Sequence, residues 1–450
     1  MADTQSKVRE VAWGELFPWL MLLRSVRIAL MARVIVLGAV GIFATMIGWR
    51  LLGDAFLRAD DPMLSNWRPD TGLAMWLDTQ HGSAPVWVNT SARSVGEVFE
   101  SASSYLIEAP KSIWLFFTRP FILMFHSTLT ARDFVFLLLC AVWELFVWGL
   151  IGGAITRIAA LKYTRDEAPG LIAALRHAAS KWPSYSLPPL IAMGGAALFA
   201  IQLVILGLIM RIDALALLSA LAWPFVIMLG LMMAILLIGA LVGWPLMWST
   251  VSVEGTDAFD ALSRSYAYTY HRPWRLLWYA LFALFLAVVS MFVVKLFVSS
   301  AVALGNWSIH WGLDETTMRT IVAPDPAPVT EVLKLNLAAP DTGIDVKVPS
   351  ADATASAEPS GMLRATRNVI GFWKAVVALL VAGYQAGFLW VSAVGIYLLL
   401  RRDIDGVQVG EVYVDQSEEY GMPPLADDAP TGVPDVAPRE PAMPGDTATP

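Results

Sequence analysis

One cysteine in 450 residues, Cys140, leaves no intramolecular disulfide, no cysteine-based zinc site and no Cys-ligated iron–sulfur cluster. The five histidines (His81, His126, His177, His271, His310) lie far apart, and no H-E-x-x-H pair is present to grip a metal. No G-x-x-x-x-G-K-[ST] loop cradles phosphates, and no G-x-S-x-G elbow presents a serine nucleophile. Charge is scarce as well: 15% of residues are Asp, Glu, Lys or Arg, where a soluble globular protein carries about 25%. The formal net charge of -7 argues against nucleic acid, which needs a basic face to replace phosphate counterions. These absences speak against a soluble enzyme, a cofactor or metal protein, and a nucleic-acid binder.

What the chain has in abundance is apolar length. Hydrophobic residues make up 57% of it, and the mean hydropathy is +0.59. Crossing a hydrocarbon core of roughly 30 Å takes about 20 helical residues. Six stretches satisfy this, near 34–52, 134–155, 188–210, 215–243, 276–304 and 375–400. The expected fold is an all-α polytopic membrane protein. The third and fourth spans are separated by only Arg211-Ile212-Asp213-Ala214, which predicts a tight helical hairpin. Residues 112–126 are apolar too, but Arg119-Pro120 divides them into pieces too short to span, which predicts an interfacial or re-entrant helix.

Lysine and arginine near the helix ends set the orientation. Lys7, Arg9, Arg24, Arg27 and Arg33 precede the first span, and Arg157, Lys162, Arg165, Arg176 and Lys181 follow the second. Arg264, Arg272 and Arg275 follow the fourth, and Arg401-Arg402 end the sixth. All fall on one side, the cytoplasm of a bacterial inner membrane, which puts both termini inside. Residues 1–33 read as an amphipathic cytoplasmic segment on the inner leaflet, not a cleavable signal peptide. Loops 53–133 and 305–374 fall outside. In the second, Leu333, Leu335 and Leu337, then Ile344, Val346 and Val348, alternate with polar residues and predict a small β-hairpin. Residues 401–450 are acidic and Pro-rich, the composition of a disordered tail, either solubilising or a docking peptide for a protein partner.

The two central inner loops repeat one pattern. Asp166-Glu167-Ala168-Pro169 is expected to open a helix through Ile172, Leu175 and Ala179. Thr256-Asp257 opens another through Phe259, Leu262, Tyr266 and Tyr270. Each begins with acids and ends with bases, which suits the helix dipole. The run from Glu254 to Tyr266, followed by His271-Arg272-Pro273-Trp274, resembles the surface-helix signature of several bacterial multi-pass families. Among them are the membrane domain that accompanies some glycerophosphodiester phosphodiesterases and related domains of unknown function. The resemblance covers the second to fifth spans and implies an architecture, without any phosphodiesterase chemistry.

Glu144 stands near the middle of the second span. A carboxyl at bilayer depth costs several kcal/mol unless paired, hydrated or protonated. It is either a proton- or cation-coupling site lining a cavity or a buried hydrogen bond that locks helix packing. Lys295, late in the fifth span, has a stem long enough to snorkel to the headgroups or to reach toward Glu144. Gln202 and Gln385 are further embedded polar groups able to join helices by hydrogen bonds. The pairs Gly149/Gly153, Gly239/Gly243 and Gly383/Gly387 have the small-xxx-small spacing that lets helices approach closely. The 19 tryptophans are expected in interfacial belts. Two functions fit: a non-catalytic scaffold or assembly factor meeting protein partners through its tail and surface helices, which is preferred, or a secondary transporter or channel that uses Glu144.

Overall fold

Eleven α-helices are present among the described residues, which are 17–56, 108–125, 129–313, 317 and 361–413 of a computed structural model. We number them α1 Leu23–Ala29, α2 Ala32–Phe56, α3 Glu108–Leu123, α4 Ala131–Thr164, α5 Leu171–Ser180, α6 Trp182–Ile209, α7 Asp213–Ala220, α8 Trp223–Glu254, α9 Ala258–His271, α10 Pro273–His310 and α11 Gly361–Asp405. No strand is present among the described residues, and the β-hairpin expected within 331–348 lies outside them, as does residues 414–450 of the acidic tail. Six helices are long and apolar enough to cross a membrane: α2, α4, α6, α8, α10 and, from Val369, α11. The chain is therefore built as a multi-pass α-helical membrane protein.

Local chemistry sets where these helices start and stop. Thr130 and Asp133 form a capping box on α4: Thr130 Oγ1 accepts from the Asp133 N–H (3.3 Å) and Asp133 Oδ2 from the Thr130 N–H (3.1 Å). This satisfies donors that the first helical turn leaves free. Pro183, Pro224 and Pro273 sit in the first turns of α6, α8 and α10, where a missing N–H costs nothing. The fourth span consequently begins at Trp223, later than residue 215, and the connection after Met210 contains the short helix α7. Helix α8 ends at Gly255, which takes a left-handed conformation (φ 67°).

Two sequence expectations need correction. Arg119-Pro120 does not divide 112–126, because α3 runs unbroken from Glu108 to Leu123 with Pro120 inside it. Its Ile113, Phe117 and Thr118 are buried, so the packing of one face offsets the hydrogen bond that proline removes. The acids Asp166 and Glu167 do not open the first surface helix either. The N-cap of α5 is Gly170, and Asp166 instead holds a left-handed turn (φ 59°). There its carboxylate meets Lys162 (3.1 Å) and Arg24 (3.2 Å). Helix α9 does use its acid as expected, with Asp257 accepting from the Asp260 N–H at 2.9 Å.

The core is a bundle of α2, α4 and α11, with the ends of α8 and α10 and the short α3 packed on it. Three of its basic side chains cap backbone carbonyls at the ends of helices. Arg24 donates to the carbonyls of Lys162 and Tyr163, Arg33 to those of Ala168 and Pro169, and Lys181 to that of Gly255. Arg24 and Arg33 are thus engaged by the loop after α4.

Candidate functional site

Glu144 lies 13 residues into α4, roughly 20 Å along it at 1.5 Å per residue. Its neighbours fix the helix rotation. Trp143 Nε1 donates to the Ala44 carbonyl (3.1 Å), and Trp148 Nε1 to Thr45 Oγ1 (3.0 Å). Trp49 Nε1 returns a bond from α2 to the Cys140 carbonyl (3.2 Å). Gly48 and Gly41 make room for the indoles of Trp143 and Trp148, which a Cβ at either position would strike. With α4 pinned in this way, Glu144 is 3% exposed, and its Oε2 has no hydrogen-bond partner.

That carboxyl opens on a cavity of about 300 Å³ at the seam between α3, α4, α6 and α8. Phe117, Phe121, Pro189, Met193, Trp244 and Trp248 form much of the wall, and none of the described lining residues is basic. Thr118 Oγ1, the one hydroxyl among the described lining residues, is already bonded to the Trp114 carbonyl at 2.9 Å. At the rim stand Ile122, Phe125, Ile238 and Leu241, all exposed and apolar. The cavity therefore faces the apolar surface of the molecule, where lipid would lie.

Behind the wall is an aromatic cluster that the sequence reading assigned to interfacial belts. Trp248 stacks on Trp390 with centroids 4.0 Å apart and planes 11° from parallel. Trp244 meets Trp390 edge-on at 5.0 Å, and Phe117 meets Trp148 at 4.7 Å. Trp148, Trp248 and Trp390 are almost wholly buried. The indole N–H groups of Trp244, Trp248 and Trp390 have no partner. Trp223, Trp274, Trp278, Trp307, Trp311 and Trp373, by contrast, are exposed near the ends of the spans, as belts require.

The remaining candidates do not join this site. Lys295 is buried on α10, and no ion pair between described residues links it to Glu144. Gln202 is exposed on α6 and bonds only its own helix, at the Leu198 carbonyl (3.3 Å). Gln385 is fully buried on α11 with neither amide atom partnered. All three glycine pairs face helices of this same chain: Gly149 and Gly153 face Ser186 and Tyr185, Gly239 and Gly243 face Tyr266 and Ser265, and Gly383 and Gly387 face α2. Among the described residues no group of three His, Cys, Asp or Glu side chains could hold a metal.

Sequence reasoning missed a second polar centre. Glu254 pairs with Arg264 (2.7 Å) and Arg401 (3.1 Å) and accepts from the Tyr397 hydroxyl (2.5 Å). Asp403 pairs with Arg275 (2.7 Å), and Asp405 accepts from Tyr268. Burial, then the hydrogen bond and charge of Asp405, hold the Tyr268 phenol above its ordinary range. Across this centre runs the segment 407–413. Tyr413 N–H donates to the Val253 carbonyl (2.7 Å), Arg157 to the Tyr413 carbonyl (2.9 Å) and Arg401 to the Glu411 carbonyl (2.7 Å). The Tyr413 ring covers Gly255, where a Cβ would strike it.

No family model, curated protein or solved structure matches the chain.

Proposed function

We propose that the protein is a non-catalytic membrane carrier, a secondary transporter or channel in which Glu144 is the coupling carboxylate. The observation that carries this is the carboxyl itself, 3% exposed, unpartnered at Oε2 and lining a cavity. A carboxyl locking helix packing would be bonded to the neighbouring helix, as Thr45 is to Trp148. One left open at the wall of a cavity can instead exchange a proton or a cation. With the basic loops in the cytoplasm of a bacterial inner membrane, the positive-inside rule is obeyed and both termini are inside.

The test uses vesicles that hold the protein, a pH-sensitive dye and an imposed potassium potential, challenged in turn with hydrophobic amines, fatty acids and neutral lipophiles. Proton or charge movement that requires one solute class and vanishes in Glu144→Gln supports the reading. Movement that persists in the variant, or that no class elicits, defeats it.

The scaffold reading is favoured by a separate observation, the strap at 407–413. It holds residues 407–413, which precede the acidic tail, against α4, α8 and α11. Mild solubilisation followed by mass spectrometry, with the chain intact and cut after Tyr413, tests it. Stoichiometric companions lost with the tail support a scaffold, and a particle without companions counts against one.

A further inference from the structure

The cavity beside Glu144 combines four properties that together select a ligand. Among the described lining residues its charge is a single carboxyl, with no partner at Oε2 and no basic residue beside it. Its walls are largely aromatic, with Phe117, Phe121, Trp244 and Trp248 among the lining residues from two helices. Aromatic faces attract cations, and desolvation strengthens that attraction. Its volume of about 300 Å³ is at the small end of ligand pockets, too small to enclose a two-chain lipid. Its rim is apolar and exposed, so an occupant arrives from the bilayer and must itself dissolve there.

Each property removes alternatives. An ionised fatty acid would place a second negative charge beside an ionised Glu144, with no cation among the described lining residues to offset them. A zwitterionic headgroup would bring a phosphate, and among the described lining residues no lysine, arginine or histidine stands to receive it. A metal ion finds only one carboxylate where several oxygen ligands are needed. A neutral lipophile would fill the walls and leave the buried carboxyl unsatisfied.

Resting on the carrier reading of this cavity, we infer that its occupant is a small hydrophobic monoamine, its ammonium on the Glu144 carboxylate and its apolar body against Phe117, Phe121 and Trp244. The indoles then act as the cation-facing wall, and the exposed rim is the entrance.

Equilibrium binding of radiolabelled phenethylamine to the full chain in phosphatidylcholine nanodiscs tests this, with phenethyl alcohol as the neutral partner of the same shape. The expected result is saturable amine binding, with the alcohol and the Glu144→Gln variant each weaker by about tenfold or more. Trp244→Leu keeps the carboxyl and removes one aromatic face, and should weaken the amine severalfold and the alcohol less. It keeps the inference testable if Glu144→Gln fails to fold. Equal binding of amine and alcohol, unchanged in both variants, overturns the monoamine while leaving a carrier of neutral solutes intact. Displacement of the amine by phosphatidylethanolamine in the nanodisc overturns it in favour of a lipid headgroup. No saturable binding of either probe overturns it too. The vesicle assay then decides separately whether the carrier reading survives, through proton movement elicited by another solute class.

Discussion

The bundle of α2, α4 and α11 and the hairpin of α6 and α8 are both apolar, yet they bury their surfaces differently. In the most apolar stretch of α11, 67% of residues are buried, and in those of α2 and α4, 56%; in α6 and α8 the figure is 11%. The difference follows from what interrupts the apolar sequence. Thr45, Trp148, Gly38 and Gly383 lie where bundle helices touch. The far half of the hairpin presents Leu198, Ile201, Val204, Ile227 and Leu231 outward. In lipid no hydrophobic force draws helices together, so close backbone approach and buried hydrogen bonds must do it. The hairpin packs where it has such devices, at its base, where Gly239 and Gly243 meet α9. The Glu144 cavity lies on the seam between these two regimes, closed by the rigid bundle on one side and by the lipid-facing hairpin on the other.

The sharpest way to break this comparison is to add bulk to a glycine in each region. A Cβ on Gly383 would fall on the backbone of Ile35 and Ala39, and one on Gly38 would meet the Gly383 carbonyl. Gly383→Leu should cost at least about 3 kcal/mol and leave little folded protein. Gly230→Leu, on the hairpin with nothing near the added group, should unfold in detergent at the wild-type temperature. Equal losses at the two sites would mean that the hairpin is packed as tightly as the bundle.

A smaller effect is expected at the second polar centre. Glu254 holds Arg264 and Arg401 together with its carboxylate nearly buried. Glu254→Gln leaves two guanidinium groups sharing a neutral partner and should lower stability by about 3 kcal/mol. A thermal melt of Glu254→Gln, Arg264→Gln and the double variant measures it, the double variant losing less than the sum of the singles.

The comparison also explains what was legible in the sequence. Six spans could be read because length and apolarity mark contact with lipid, whichever helices later pack. Which face of each helix is buried was not readable: α8 is apolar all round, so nothing in it separates Trp244 and Trp248 from lipid-facing Ile235 and Ile238. Glu144 stood out as the one acid deep in its span, but its cavity is formed by residues from α3 and α8, up to about a hundred positions away in the chain. The Glu254 centre stayed hidden because its arginines looked like ordinary orientation signals. Its strap residues 407–413 looked like the beginning of a tail.

Single hydrogen bonds sharpen the contrast at a finer scale. Thr45 is fully buried, accepting from Trp148 and donating to the Gly41 carbonyl at 2.8 Å. Thr45→Val keeps the shape, leaves the indole N–H unpaired and should cost about 1–2 kcal/mol in a detergent melt. Gln202→Leu, on the lipid face of the hairpin, should change stability by less than about 0.5 kcal/mol.

The smallest effect is expected at Asp166, where the N-terminal segment docks by charge on the turn after α4. The hydrogen bond and charge of Lys162, then the charges of Arg24 and Arg27, hold this carboxyl below its ordinary value of 3.8. A carboxylate whose folded value is depressed adds stability above the unfolded value of about 3.9, and loses it as pH falls through the folded value. Asp166→Asn keeps the left-handed backbone, which asparagine tolerates. Lys162 also keeps its bond to the Asp166 carbonyl (2.8 Å), and Arg24 its bonds to the carbonyls of Lys162 and Tyr163. The variant therefore isolates the charge. Because the group is exposed, the difference from wild type should be small at neutral pH, shrink further in high salt and vanish in acid below the folded value. Melting temperatures across that range measure it. A difference that persists unchanged in acid would show that Asp166 acts through the shape of its turn, and that docking at this end depends on backbone carbonyls meeting Arg24 and Arg33 more than on ion pairs.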